Sequence, residues 1–372
     1  MPIIVKPLNN LDSPGNPLNR PSDGFDPTIP YQMIPLGQSR EMVVQTGDFK
    51  ADMNLTIPDI SSMSNFRILR QSTPNLFPLP GPGVPVRTIA LPERSVVQFT
   101  LAGRSLGITV LEGRDRPGQG APPLQPLKLV VSVKGNQQRK FAVCYVFDRI
   151  NRDVGARRDF AGHLAEVNKI FNEQANFSIV NIDGPAASTL AARTITLNGT
   201  SGKVFDMRDN DLLGRVIDGF DARFPGVAAK IHCVVFVVQV PIRDSNDQKA
   251  RILGFSFQGL RKSTRRPFSI LLVGPQDPPR KSTSGGRQPS QVSMLRHTMA
   301  HEIGHSFGLD HDPVKKKLPP ELLGTDVNPI FFTSPQLFNL MFPNNFLQSD
   351  RINGVQVEVM HRVGPQFRQE DV

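Results

Sequence analysis

His301-Glu302-Ile303-Gly304-His305-Ser306-Phe307-Gly308-Leu309-Asp310-His311 reads H-E-x-x-H-x-x-G-x-x-H, and the rest of the 372-residue chain is read outward from it. On a helix, His301 and His305 share a face and can grip one metal ion. Ile303 and Phe307, with Met299 before them, fall on another stripe and face a core. Gly308 stands where that helix must stop, and glycine takes the left-handed conformation that reverses the chain. His311, three residues on, then swings back as a third ligand. Three neutral imidazoles leave one position of a zinc ion open for water, and zinc pulls the pKa of such a water toward neutrality. Glu302, beside the first ligand, is the natural general base: it takes the water's proton and passes it to a leaving amine. A structural histidine cluster fits less well. Structural zinc sites are four-coordinate and rich in cysteine, and the two cysteines, Cys144 and Cys233, lie far from the string. His297 extends the same helical face but sits a turn too far along the axis to converge with the others.

The string resembles the zinc signature of the metzincin metallopeptidases. The resemblance implies a second element, a methionine turn beneath the metal. Asn339-Leu340-Met341-Phe342-Pro343 fits it, with Met341 thirty residues after His311. No tyrosine follows Met341, and Asp312 follows the third histidine, so the likeness is to matrixin- and adamalysin-like members rather than astacin- or serralysin-like ones. It implies a zinc endopeptidase with one catalytic Zn2+, in which an extended peptide lies along an edge strand above the cleft. Gly254-Phe255-Ser256-Phe257 is the candidate rim, with Gly254, Phe255 and Ser256 as its contact residues. Gly308 and Met341 support the site. The specific motifs cover only residues 290–343. A catalytically silent metzincin-fold binding or effector protein, and a metal-dependent amidase acting on cell-wall peptides, are the competing readings. The intact Glu302 argues against the first.

The order of elements agrees with that family. The continuous apolar run Phe141–Phe147 predicts a buried strand. Ala161, Leu164, Ala165, Asn168 and Phe171 recur at helical spacing, and Phe177–Ile182 reads as a strand. A second helix fits Asn210–Phe224. Ile231–Val238, Ile252–Phe257 and Phe268–Val273 supply further strands. Ser290 is placed to cap the zinc helix and Ser349 a closing helix through Asp350, Ile352, Val355, Val357 and Met360. The expected class is α+β: a metzincin catalytic domain over residues 139–372, with a twisted mixed sheet, packing helices and a small C-terminal lobe. A β-rich accessory domain, similar to an Ig-like module, precedes it over residues 84–138. Residues 1–83 are dense in proline, which prevents long helices and central strands, and read as an irregular N-terminal region in which the alternating patches Met42-Val43-Val44 and Met53-Asn54-Leu55-Thr56-Ile57 are candidate strands.

The net charge of +10 favours acidic partners. Arg261, Lys262, Arg265, Arg266, Arg280, Lys281 and Arg287 precede the string, and Lys315, Lys316 and Lys317 follow it. They read either as a frame that selects acidic segments of a protein or peptide substrate or as solvated loop charge. No aromatic-and-basic nucleic-acid motif is present, and tryptophan is absent. Cys144 and Cys233 lie in apolar runs and read as buried thiols; were the runs neighbouring strands, a disulfide between them would be strained. His163, His232 and His361 lack ligand spacing and read as structural. No cysteine precedes Cys144, so a propeptide cysteine switch has no residue to use. Met1-Pro2-Ile3-Ile4-Val5-Lys6-Pro7 lacks a signal-peptide apolar core, and no run is long enough to span a membrane. The expectation is a cytoplasmic protein, or one exported by a signal-independent route, as a bacterial effector is.

Overall fold

In the computed structural model of the chain the described residues are 4–7, 25–26, 31–45, 53–56, 66–72, 88–91, 96–115, 128–148, 160–182, 193–197, 205–238, 242–245, 247–257, 268–273, 291–309, 311, 340–341, 352 and 354–362. The strands before residue 135 are β1 (Ile4–Pro7), β2 (Phe25–Asp26), β3 (Tyr31–Pro35), β4 (Ser39–Gln45), β5 (Met53–Thr56), β6 (Phe66–Ser72), β7 (Thr88–Leu91), β8 (Val96–Gly103), β9 (Gly107–Asp115) and β10 (Lys128–Lys134). One antiparallel sheet has the order β1-β4-β8-β6. A second has the order β2-β3-β10-β9-β5-β7, parallel between β3 and β10. The sheets come close at Gly103, where a Cβ would lie 2.9 Å from Val133 and 3.1 Å from Ile34.

Within residues 1–83, β4 and β5 fall on the two alternating patches, and the further strands revise the irregular reading of the rest. Strands from that stretch pair directly with strands from 84–138, so the two regions share both sheets. The two described prolines of this stretch fall where a strand tolerates them. Pro7 is on the edge strand β1 and Pro35 is the last residue of β3, positions where the missing N–H costs little.

The third sheet is built on the long strand β11 (Gln137–Asp148), so the expected boundary at 138/139 falls inside a strand. On one side β11 pairs in parallel with β12 (Phe177–Asn181) and, further along, with β13 (Thr194–Leu197). On the other the order continues through β15 (Cys233–Val238) and β19 (Phe268–Val273), both parallel, to the antiparallel β18 (Gly254–Phe257). Between these lie a small sheet of β14 (Phe205–Asp206), β16 (Ile242–Asp244) and β17 (Asp247–Ile252). The helices are α1 (Phe160–Ala175), α2 (Asn210–Arg223), α3 (Gln291–Ser306) and α4 (Gly354–Arg362).

Strand alternation divides the core into two layers. Phe141, Val143 and Tyr145 of β11, with Cys233, Val235 and Val237 of β15, face α1, α3 and α4. Ala142, Cys144 and Val146, with Val234, Phe236 and Val238, face α2 through Leu212, Leu213, Val216 and Phe220. The register sets Phe141 opposite Cys233 and Cys144 opposite Phe236, so the two buried thiols point to opposite faces and no disulfide can form. Asp209 caps α2 by accepting from the Leu212 N–H at 2.9 Å. Asn168, on the apolar stripe of α1, satisfies the outer side of edge strand β12: it donates to Ile179 O at 2.8 Å and accepts from Ile179 N at 2.7 Å.

The closing helix differs from the expectation. It starts at Gly354, not near Asp350, and Ile352 lies before it with its N–H held by Gln174 at 2.8 Å. A Cβ at residue 354 would fall 2.5–2.8 Å from the ring of Tyr31. Only glycine admits that approach. Ser349, Asp350 and the candidate cap Ser290 lie outside the described residues, as do Asp312 and the basic residues named above; His163 lies on α1. No helix among the described residues is long and apolar enough to cross a membrane.

Candidate active site

Helix α3 packs beside β18 and β19 and against α1. Phe307 anchors its C-terminal end, with its ring 5.3 Å from Phe171, 5.0 Å from Phe177 and 5.4 Å from the stacked imidazole of His232. His232 donates from Nε2 to Ser306 O at 2.9 Å, satisfying one of the carbonyls a helix end leaves open. His361 does the same for α1 through Ala175 O at 2.6 Å. Both are structural histidines, each tying a helix terminus to a neighbouring element.

The helix stops in a paired turn. Gly308 has φ +81°, its N–H reaches His305 O at 2.9 Å, and the Leu309 N–H reaches Gly304 O at 3.1 Å. This 6→1 and 5→2 pattern is the glycine-terminated helix end foreseen at Gly308. It reverses the chain so that His311 faces the helix it has just left.

The three imidazoles converge. His311 Nε2 lies 2.9 Å from His301 Nε2 and 3.1 Å from His305 Nε2. His301 Nδ1 is 2.8 Å from Leu340 O, and His305 Nδ1 is 2.8 Å from Leu309 O. A carbonyl only accepts, so each Nδ1 carries the proton and each neutral ring turns a bare Nε2 lone pair inward. Tetrahedral zinc with Zn–N bonds of about 2.0–2.1 Å separates its nitrogens by about 3.3 Å, close to the spacing here. Among the described residues, His301, His305 and His311 form a group of three that could hold a metal ion. Burial, with a smaller push from His311, lowers the His301 pKa to about 4 against the pull of the Leu340 carbonyl, which keeps the ring neutral as a metal ligand must be. His297 is buried a turn earlier and stands outside this group.

Glu302 is buried, and burial pushes its carboxyl up to about 8, opposed by a hydrogen bond from the Ser256 hydroxyl. Gly254, Phe255 and Ser256 lie on β18, at the end of the strand order of the third sheet. Phe255 and Phe257 turn to the α2 side, their rings stacked at 5.3 Å, so the strand offers its backbone and Ser256 toward α3. Met341 is buried in a turn beneath the helix. A Cβ on Gly304 would come within 2.6 Å of its Sδ, so glycine at that position lets the turn approach the metal-binding face.

Sequence reasoning named the histidines, Glu302, Gly308 and Met341 but not Gly304, Leu309 O or Leu340 O. The signals were present. Gly304 is the single glycine of α3, and Leu340 adjoins Met341. Backbone carbonyls leave no trace in residue identity, so their role follows only from the fold.

Residues 253–312 match the family model described as metallo-peptidase family M12B, Reprolysin-like. The match begins just before β18 and ends one residue past His311, so it takes in the edge strand, α3 and the three histidines. It supports a peptidase. A search of curated proteins finds no match. Among solved structures, domains 4 and 5 of the S-layer protein SbsC share 16% identity over 27% of this chain and 40% of that one, with a TM-score of 0.17. A structure of surface layer protein SbsC domains 1–6 shares 16% identity over 28% of this chain and 12% of that one, with a TM-score of 0.17. A conjugative transposon lipoprotein from Bacteroides eggerthii shares 12% identity over 35% of this chain and 96% of that one, with a TM-score of 0.16. The chain thus spans well under two thirds of the two S-layer structures.

Proposed function

We propose that this protein is a zinc-dependent endopeptidase of metzincin type. The observation that carries the reading is the convergence of three imidazole Nε2 atoms, two of them held in the ligating tautomer by carbonyls, beside a buried glutamate. His301, His305 and His311 would hold one Zn2+. That ion, when bound, supplies Lewis acidity toward a water and a peptide carbonyl. Glu302 takes the attacking water's proton and hands it to the leaving amine. Edge strand β18 pairs with an extended substrate backbone. Met341 and Gly308 hold the helix and the third ligand in place.

The catalytic unit runs from about residue 139, and the β-rich part before it is a support to which α4 is fastened. The basic residues on either side of the histidine string favour substrate segments that carry acidic side chains. The test is digestion of a denatured protein by the zinc-loaded chain, with and without a chelator. Cleavage that stops on chelation and returns with zinc is expected. No cleavage by the zinc-loaded protein overturns the reading.

A further inference from the structure

The side chain that faces Glu302 comes from the strand at the cleft, not from the helix that carries the histidines. Along β18, Phe255 and Phe257 pack into the α2-side core. Alternation therefore turns Ser256 to the other face, toward α3. There its hydroxyl donates to the Glu302 carboxylate. Glu302 is 5% exposed, so water does little to orient it. A glutamate has three rotatable side-chain bonds, and a general base works only when one oxygen is aimed at the proton it takes.

We propose that Ser256 is a positioning residue: its hydroxyl occupies one carboxylate oxygen of Glu302 and leaves the other aimed at the metal-facing side of α3. This rests on the peptidase reading above. It makes β18 serve two purposes at once. Its backbone is the rail for an extended substrate, and its helix-facing hydroxyl sets the base, so substrate register and base orientation are fixed by the same strand.

The test compares Ser256→Thr with Ser256→Val, a pair of equal shape that differs in the hydroxyl, alongside Ser256→Ala, Glu302→Ala and the double variant Ser256→Ala/Glu302→Ala. The probe is a quenched fluorescent peptide spanning a bond that the wild type cleaves in a denatured protein. For each variant kcat, KM, zinc per chain and Tm are measured. The expected result is a kcat about ten-fold lower for the Val and Ala variants, the loss of one hydrogen bond to a charged group. Their KM, zinc content and Tm stay at wild-type values, Ser256→Thr restores at least half of kcat, and the double variant is no worse than Glu302→Ala. Wild-type kcat in Ser256→Val overturns the proposal. A raised KM at unchanged kcat also overturns it, since it makes Ser256 a substrate contact. A loss of zinc or Tm common to Thr and Val overturns it in favour of packing. Glu302→Ala with full turnover sinks the peptidase base itself; an inactive Glu302→Ala beside an unaffected Ser256→Val sinks only the inference about Ser256.

Discussion

Glu302 and Glu358 are both buried carboxylates on helices that pack into the same core layer, yet their surroundings are opposite. Glu358, on α4, accepts from Tyr31 Oη at 2.9 Å and Ser132 Oγ at 2.7 Å and pairs with Lys134 Nζ. Its charge is matched and its oxygens are occupied by groups from β3 and β10. Glu302 has the Ser256 hydroxyl and a cluster of neutral imidazoles beside it, and burial raises its pKa. A carboxylate that must hold two parts of a fold together is surrounded by donors. For Glu302, the base of the proposed reaction, the Ser256 hydroxyl is the described donor, and burial opposes the charged form.

That contrast is open to attack by substitution. The largest effect is expected from Glu302→Ala, which should lower turnover by roughly 10³-fold or more while zinc content and Tm hold or rise. A variant that keeps wild-type turnover ends the assignment. Glu358→Ala should do the reverse. It leaves the part-buried Lys134 without this carboxylate and should cost about 2 kcal/mol of stability in urea titration. Its turnover should stay near wild type well below its melting point; a catalytic loss without destabilisation would erase the distinction. Gly354→Ala tests the same contact from its other side. The new methyl meets the Tyr31 ring, and a loss of about 1–3 kcal/mol is expected from the displacement. No change in Tm would show that α4 slides freely over β3.

The smallest effect concerns pH. Burial, against the pull of the Ala175 carbonyl, lowers His361 to about 4, with Lys134 and Arg139 adding to the depression. The unfolded imidazole titrates near its ordinary 6.5, so the folded state binds fewer protons between these values. Stability from this group is therefore complete above about 6.5 and is lost as pH falls toward 4. In chelator, His361→Gln should flatten that part of the pH–stability curve relative to wild type. An unchanged slope would place the acid sensitivity at His301, His305 and His311 instead.

The comparison also marks what could be read in advance. Glu302 announces itself because its spacing to His301 and His305 is local, within one helical turn, and local periodicity is written in residue order. The central strands of the third sheet were legible for the same reason: Phe141–Phe147 and Ile231–Val238 are continuous apolar runs, whereas the short β13 was not foreseen. Glu358 carried no signal, since its partners at 31, 132 and 134 are distant in sequence and ordinary in type. Before residue 84, alternation showed the strands at Met42–Val44 and Met53–Thr56, and the others were obscured by prolines, whose effect depends on whether they fall at an edge, at a strand end or in the middle of a ladder. Phe255 was placed on the cleft rim with Ser256, but pleating sends their side chains to opposite faces.

The carbonyl of Leu340 that holds His301 gives this design an order in time. It lies 39 residues downstream of the ring it orients, and Glu358 lies 327 residues beyond Tyr31. A ribosome therefore delivers all three metal ligands before the backbone that aims the first of them, and the Tyr31 strand waits through most of translation for the helix that covers it. Contacts so far apart in sequence close late in folding. The histidine cluster therefore takes its final form only after the chain through residue 340 has been made.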